Sequence, residues 1–476
     1  MPELSPQRRK LVLAICCMSL FIVGLDVTIV NVALPTISTD FHAQLADLQW
    51  IMDAYTLVLA SFLILAGSTA DRLGRRRIFR TGLLLFTLGS LMCSLAPSLG
   101  WLIAARVVQP LGGSMLNPVA LSIVTNTITD ARERARAIGV WAAVFGVSMA
   151  VGPVVGGALV SGFGWRSVFW INLPVVAVVL VLTVFFVPES RAERPRRLDG
   201  PGQLLLTVLV GGSVAVLIEG PHIGWASPAA IAGYLVVCVA AAGFGRVESR
   251  RAEPLVDPRL FGRPPFVAAV VGAVVVFVAL SATLLLNTLY LQHARGLSPV
   301  AAGVVTLPMA VAATVCAPLS GVLVGRFGPR PPLLLAGGSI TAGGLCLVGL
   351  GNHTDLRLLA LAYLLVGTGF GFANAPITNT AVSALPPARA GVAGGITSTA
   401  RQLGSALGIA IAGSFVVGAA PADLARASRP GWLLVAGCGL LLLVAALAAP
   451  TAGGRRTARA GAASDGLLSP APAGSR

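Results

Sequence analysis

Long apolar runs, most of them near twenty residues, alternate along this chain with short connections rich in arginine, glycine and proline. A helix needs roughly 20 apolar residues to cross a bilayer core, so runs of this length predict membrane spans and not the helices of a soluble core. Broken at proline, glycine and charge clusters, the pattern predicts fourteen spans, over residues 11–34, 48–69, 78–97, 101–125, 135–160, 167–187, 202–219, 228–245, 265–291, 300–324, 331–350, 357–383, 390–418 and 431–449. The expected class is an all-α polytopic membrane protein.

One connection stands apart in its layout. Between the second and third runs lies Gly67 to Arg77, GSTADRLGRRR, which packs Asp71, Arg72, Arg75, Arg76 and Arg77 into seven positions. Gly67 and Gly74 stand in it where backbones approach closely or the chain turns tightly. Charge alone fits any positively charged cytoplasmic loop. The layout returns at the corresponding place in the second half, Gly321 to Arg330, GVLVGRFGPR, which marks an internal repeat.

Composition narrows the class. The chain has 476 residues, 56% hydrophobic and 11% charged, with a mean hydropathy of +0.86, which excludes an ordinary soluble protein. A net charge of +16 would raise nucleic acid as a partner in a soluble chain. Here almost every arginine falls between runs, against anionic headgroups, and no nucleic acid partner is expected. Assigning the connections alternately to two sides puts 27 of the 34 Lys and Arg residues on one side, from Arg8, Arg9 and Lys10 to the C-terminal tail. The other side holds 5, namely Arg166, Arg295, Arg357, Arg426 and Arg429. This excess predicts that both termini are cytoplasmic and that the span count is even. The two that remain, Arg106 and Arg401, fall inside runs. Leu11 to Leu34 is too long for a signal-peptide core and reads as a retained first span.

Seven cysteines lie inside apolar runs, where a thiol is usually a small hydrophobe, and His42, His222, His293 and His353 are scattered. No metal spacing emerges, so neither a metal nor a cofactor is expected. No G-x-x-x-x-G-K-[ST] loop occurs, which removes ATP as the energy source, and no nucleophile-and-base arrangement suggests an enzyme.

The repeat orders the chain. Gly67 and Gly321 are 254 residues apart, and Pro118 and Pro376 are 258 apart, so six spans, an inserted pair and six more is the simplest reading. The expected organisation is a cytoplasmic N-tail (1–10), an N-terminal six-helix bundle (11–187) and a Pro-rich cytoplasmic linker (188–201). Two inserted transmembrane helices (202–245), a second cytoplasmic linker (246–264), a C-terminal six-helix bundle (265–449) and a disordered cytoplasmic tail (450–476) follow.

Over residues 8–449 the chain resembles the fourteen-span drug:proton antiporter family of the major facilitator superfamily. Span 1 carries LDVTIVNVALP from Leu25 to Pro35, and Gln49, Trp50 and Tyr55 follow in span 2. Span 4 carries Arg106, Gln109, Gly112 and Gly113, and span 5 carries Gly146, Gly152, Pro153, Gly156 and Gly157, similar to the antiporter signature. Trp165, Arg166, Phe169, Asn172 and Pro174 come next. In the second half Tyr290, Leu291, Gln292, Gly296, Ser298 and Pro299, then Arg401, Gln402, Gly404 and Gly408, continue the likeness. Pro110 stands where the span-4 motif usually has glycine, and Gly325 stands in the place of Asp71, so the second loop cannot make the same charge contact.

Against that frame a few residues carry chemistry. Asp26, about eight residues from the outer end of its span, lies roughly 12 Å inside the bilayer, where a charge costs several kcal/mol unless protonated or partnered. Arg106 comes to a similar depth, so the two can pair. Asp26 is either a protonatable site in the translocation pathway, the role the resemblance implies, or a buried residue fixing helix packing. Arg106, Gln109 and Gly113 fall at i, i+3 and i+7, a stripe that faces the central cavity or a partner helix. Arg106 stays charged and either tunes the carboxylate or braces the bundle. Arg401 and Gln402 are cavity residues or an interdomain brace. Asn117, Asn287, Tyr290, Asn374 and Asn379 line a polar part of the cavity or bond helix to helix. Glu219 and Asp53 are expected at the interface.

Two motifs have a mechanical reading. Gly152 and Gly156 form a small-residue face, Pro153 permits a bend, and the resemblance implies that this motif lies between the bundles. Asp71 is expected against a helix N-terminus or an arginine of the neighbouring bundle, with Arg75 and Arg76 binding acidic groups or lipid. The resulting expectation is a monomeric, proton-coupled exporter of amphipathic organic compounds, cations among them, working by alternating access in a bacterial plasma membrane on the proton motive force. An exporter of an endogenous metabolite, peptide or siderophore, and a non-transporting membrane sensor on the same fold, are the rivals.

Overall fold

Helix after helix covers the expected stretches, as a computed structural model describes for residues 5–128, 130–191, 199–251, 258–351, 354–383 and 390–448. The first group is α1 (Pro6–Phe41), α2 (Leu45–Leu73), α3 (Arg75–Ser94), α4 (Leu99–Thr127), α5 (Ala131–Phe163), the single turn α6 (Ser167–Trp170) and α7 (Asn172–Phe186). A middle pair follows, α8 (Gly200–Ile223) and α9 (Pro228–Arg250). The last group is α10 (Pro264–Leu289), α11 (Pro299–Phe327), α12 (Arg330–Val348), α13 (Leu356–Ser383), α14 (Ala390–Val416), the turn α15 (Leu424–Ala427) and α16 (Arg429–Ala448). No strand occurs among the described residues. Among the described residues ten helices, α6 and α7 taken together as one, are long and apolar enough to cross a membrane, or eleven if α2, bent by 49° between Leu63 and Leu65, counts as one span. Parts of the two linkers (192–198 and 252–257) and the tail from 449 lie outside the described residues.

Local chemistry sets the helix ends. Ser98, Ser227 and Ser298 each accept a hydrogen bond from the backbone N–H three residues on, satisfying a donor that the first turn leaves open. Gly74 closes α2 and starts α3 at φ 114°, a conformation that side chains resist. Helix α4 runs unbroken through Pro110 and Pro118, so the proline in the span-4 motif does not end it. Beside it Gly112 brings α4 against the backbone of Gly82 and Phe86 in α3, an approach that no larger residue permits.

Helices α1 to α5 and α7 pack on one another, and α10 to α14 and α16 do the same. The two halves meet along two seams, α5 against α11 and α2 against α14. Helix α8 lies over the second seam, with Leu206, Val210, Val214 and Ile218 against Ala46 and Leu57 of α2 and Ala406 and Ala410 of α14. Its hydrogen bonds from Gln203 to the Ser61 carbonyl and to Glu219 from Trp50 Nε1 (2.8 Å) both reach α2. Only 11% of the apolar stretch of α9 is buried, which leaves Leu235, Val236 and Val239 on the outer surface where lipid would solvate them.

Candidate functional site

Asp26 sits in the middle of α1 with no surface reaching solvent. Its Oδ2 accepts from Arg106 Nη1 at 2.7 Å, and its Oδ1 accepts from Gln109 Nε2 at 2.8 Å and Asn172 Nδ2 at 3.1 Å. Arg106 also donates from Nη1 to Gln109 Oε1 (2.8 Å) and from Nε to the carbonyl of Ile51 in α2 (3.0 Å). Its guanidinium lies 4.2 Å over the Tyr55 ring. Ser90 of α3 closes the network by accepting from Gln109 Nε2 and Asn172 Nδ2. Each charge thus has a partner and further hydrogen bonds, which is how a buried ion pair is tolerated, although Arg106 Nη2 is left without an acceptor.

Five helices build this cluster: α1 supplies the acid, α4 the base and the amide, α3 the hydroxyl, the first residue of α7 the second amide, and α2 the Ile51 carbonyl and the Tyr55 ring. Asp26 and Arg106 pair as their matching depths predict. Gln109 corrects the expectation of a cavity residue, since it is wholly buried inside the N-terminal half. Asn172, Ser90 and Ile51 were not assigned roles by sequence reasoning. Asn172 entered only among the residues that carry the family resemblance, whereas a serine and a backbone carbonyl carry no sequence signal.

The turn of α2 that holds Arg106 also makes the seam. Gln49 Nε2 donates to the carbonyls of Ile409 and Ala410 in α14, both at 3.1 Å, and occupies the space beside Gly413. One turn on, Asp53 is wholly buried; Thr56 Oγ1 donates to its Oδ1 at 3.3 Å, and its Oδ2 has no partner. At the other seam a Cβ on Gly157 would lie 2.6 Å from the Pro299 carbonyl oxygen, and one on Gly303 would lie 2.5 Å from that of Pro153. Gly152 and Gly156 instead face Thr28 and Ile29 of α1 within the same half, so the motif divides between an internal contact and the seam. The surroundings of Gly146 in α5 lie outside the described residues.

The arginine-rich loop is fastened within its own half. Asp71 pairs with Arg75, four residues on, at 2.8 Å, and not with the neighbouring bundle. Glu189, just past α7, accepts from the Arg76 backbone N–H at 3.1 Å, and the Ser190 carbonyl accepts from the N–H of Arg75 at 2.9 Å. A carboxylate here meets the positive end of α3. Arg76 Nη1 donates to the Val187 carbonyl, and Arg72 is exposed. At Gly67 a Cβ would find Pro118 at an ordinary 3.7 Å, so the close approach expected there is absent.

The profile of the Major Facilitator Superfamily matches residues 16–409. The chain belongs to this superfamily. It is similar to the multidrug resistance protein Stp of Mycobacterium tuberculosis, 42% identical over 397 residues, 83% of this chain and 74% of that one. The methylenomycin A resistance protein of Streptomyces coelicolor is 37% identical over 398 residues, 82% of each chain. A solved bacterial homologue of the human lysosomal transporter Spinster, inward-facing and unoccupied, covers 93% of this chain and 96% of its own at a TM-score of 0.64. Its 20% identity makes that a likeness of fold.

Within the superfamily fold the remaining residues separate. Asn287 lies at the contact of the halves and accepts from the Tyr363 hydroxyl. Tyr290 corrects the expectation of a cavity residue: it is wholly buried and donates to the Gly351 carbonyl at 2.7 Å. Arg401 is half-buried and donates from Nη2 to Thr378 Oγ1 at 2.5 Å, while its Nε has no partner. Asn117, Asn374 and Gln402 are half-buried, and Asn379 is exposed. Glu219 is committed to Trp50 across α8 and α2. Among the described residues no cluster of His, Cys, Asp and Glu is arranged to hold a metal.

Proposed function

We propose that this protein exports drug-like organic molecules from the cell in exchange for protons. Membership of the superfamily and the names of its relatives support the transport class. The observation that carries the coupling is the buried Asp26–Arg106 pair, whose guanidinium is held by the same turn of α2 that closes on α14. In the working cycle the fourteen helices cross a bacterial inner membrane with both termini in the cytoplasm, as a monomer, and the two six-helix halves rock about the inserted pair. The proton motive force supplies the energy, without ATP or a cofactor.

The chemistry follows from the contacts. Opening the α2–α14 seam breaks the Gln49 bonds to the Ile409 and Ala410 carbonyls and frees the α2 turn that holds Ile51 and Tyr55. Arg106 then loses its carbonyl acceptor and its ring, and Asp26 becomes able to exchange its arginine partner for a proton from outside. Asp53, one turn on from Gln49 with an unpartnered oxygen, is a second buried carboxyl that opening of the seam brings to water. The loop at Asp71 and Arg75, held by Glu189, serves as the cytoplasmic gate.

The test is transport in proteoliposomes under an imposed pH gradient, with a panel of neutral, cationic and anionic aromatic compounds. Gradient-driven movement that is lost in Asp26→Asn is the expected result. No movement of any compound in the native protein would overturn the proposal and favour a sensor.

A further inference from the structure

The path between the halves carries its own record of what it accepts. Where α1 and α5 meet α10 and α11, a cleft is lined by Thr28 and Asn31 on one side and Asn287, Thr288, Gln292 and Thr306 on the other. Gln292 Nε2 bridges it to the Val32 carbonyl at 3.1 Å. Asn31 spends its Nδ2 on the Val27 carbonyl and Asn287 spends its Oδ1 on Tyr363, so an amide oxygen from one half and an amide N–H2 from the other remain unused. Among the described residues no charged side chain lines this cleft.

A second space lies on the same stripe of α1. Leu13, Cys17, Met18 and Phe21 form with Val140 and Val144 of α5 an open trough of about 480 Å³, and Lys10 stands at its rim. Positions 10, 13, 17 and 21 and then 28 and 31 follow one face of α1, so trough and cleft are consecutive parts of one surface, about 10 Å apart. At about 100° per residue Asp26 stands roughly 160° round the helix from that face. The acid that suggested a cationic substrate is therefore turned into the N-terminal half, clasped by Arg106.

We infer that this surface binds an uncharged amphipathic molecule, its rings or chain in the trough and a neutral group that both donates and accepts, such as a secondary amide, between Asn31 and Asn287, its N–H toward Asn31 Oδ1 and its carbonyl toward Asn287 Nδ2. A permanent cation entering here would lose hydration and meet no counter-charge, with Lys10 repelling it on the way. A neutral carbonyl would replace its water with the free N–H2 of Asn287. The inference rests on the efflux proposal for its biological meaning, while the binding site itself is tested separately.

Three probes of one ring system make the test: acridone, its permanently cationic counterpart N-methylacridinium, and the anionic 10-carboxymethylacridone. Each is titrated by fluorescence anisotropy into the full chain in nanodiscs, with empty nanodiscs as blank. Acridone is expected to bind saturably and at least about tenfold more tightly than either ion. Asn31→Leu is expected to weaken it about two- to tenfold, the loss of one hydrogen bond. Asn31→Asp is expected to shift the preference toward N-methylacridinium, and thermal melting of both variants checks that they are folded. Equal or tighter binding of either ion, no saturable binding of any probe, or insensitivity to both folded Asn31 variants would overturn the assignment. Gradient-driven transport of any panel compound, lost in Asp26→Asn, would leave the efflux proposal standing through each of those outcomes.

Discussion

Adjacent glycines in α5 separate the cost of closing the halves from the cost of folding one of them. A methyl group on Gly157 would lie 2.6 Å from the Pro299 carbonyl oxygen and 2.8 Å from the Val300 Cα, both backbone atoms of the opposite half. One on Gly156 would lie 2.8 Å from Ile29 Cγ1 and 3.1 Å from the Ile29 carbonyl oxygen, in its own half. Overpacking of this kind costs about 1–3 kcal/mol. In Gly157→Ala that cost falls only on the conformation with the α5–α11 seam closed, so the closed-to-open ratio should fall by about 5- to 150-fold. In Gly156→Ala it falls on both conformations, so the ratio stays and the melting temperature drops. Spin labels on cysteines placed at Phe163 and Arg426, in a background without the seven native cysteines, report the separation of the halves. A longer distance should gain population in Gly157→Ala alone. The same distribution in both variants, or none changed in Gly157→Ala, would refute the reasoning.

Other consequences follow from the buried groups. Asp26→Asn leaves Arg106 charged and without its anion, which should cost about 3–5 kcal/mol by thermal melting; adding Arg106→Gln should recover most of it while gradient-driven transport stays lost. Asp53→Asn mimics the protonated acid. It removes the titratable carboxyl from the buried seam, so the closed-to-open balance should respond to pH in the native chain and not in the variant, as read by the same labels. Glu189→Ala removes the acceptor at the start of α3 and should cost that end about 1 kcal/mol, seen as faster amide exchange over residues 75–79, with a smaller effect in Glu189→Gln.

Much of the architecture was legible because a bilayer imposes a length that a run such as Pro264–Ala294 meets without help from neighbours. The pairing of Asp26 with Arg106 was legible for a related reason: depth along a helix is read by counting residues, and two opposite charges at one depth seek each other. Rotation about the helix axis was less legible. The spacing of Arg106, Gln109 and Gly113 defines a stripe, but only the packing of α1 and α3 reveals that the stripe is sealed inside one half. The complete burial of Asp53 was not legible either, because the packing that covers a side chain is not given by its place in an apolar run. Asp71 was assigned a distant partner when Arg75, one turn on, lay within reach.

The inserted helix α8 grips α2 through Gln203 and Glu219 yet meets α14 through leucine, valine and isoleucine on alanine. A hydrogen bond holds register, whereas a dry aliphatic contact lets one surface slip past another with little penalty. In the proposed cycle helix α8 would be a gasket carried by one half and wiped by the other. It would keep acyl chains away from the polar turn at Gln49 and Asp53 as that turn separates from α14, so this helix would insulate the part of the machine least able to tolerate oil.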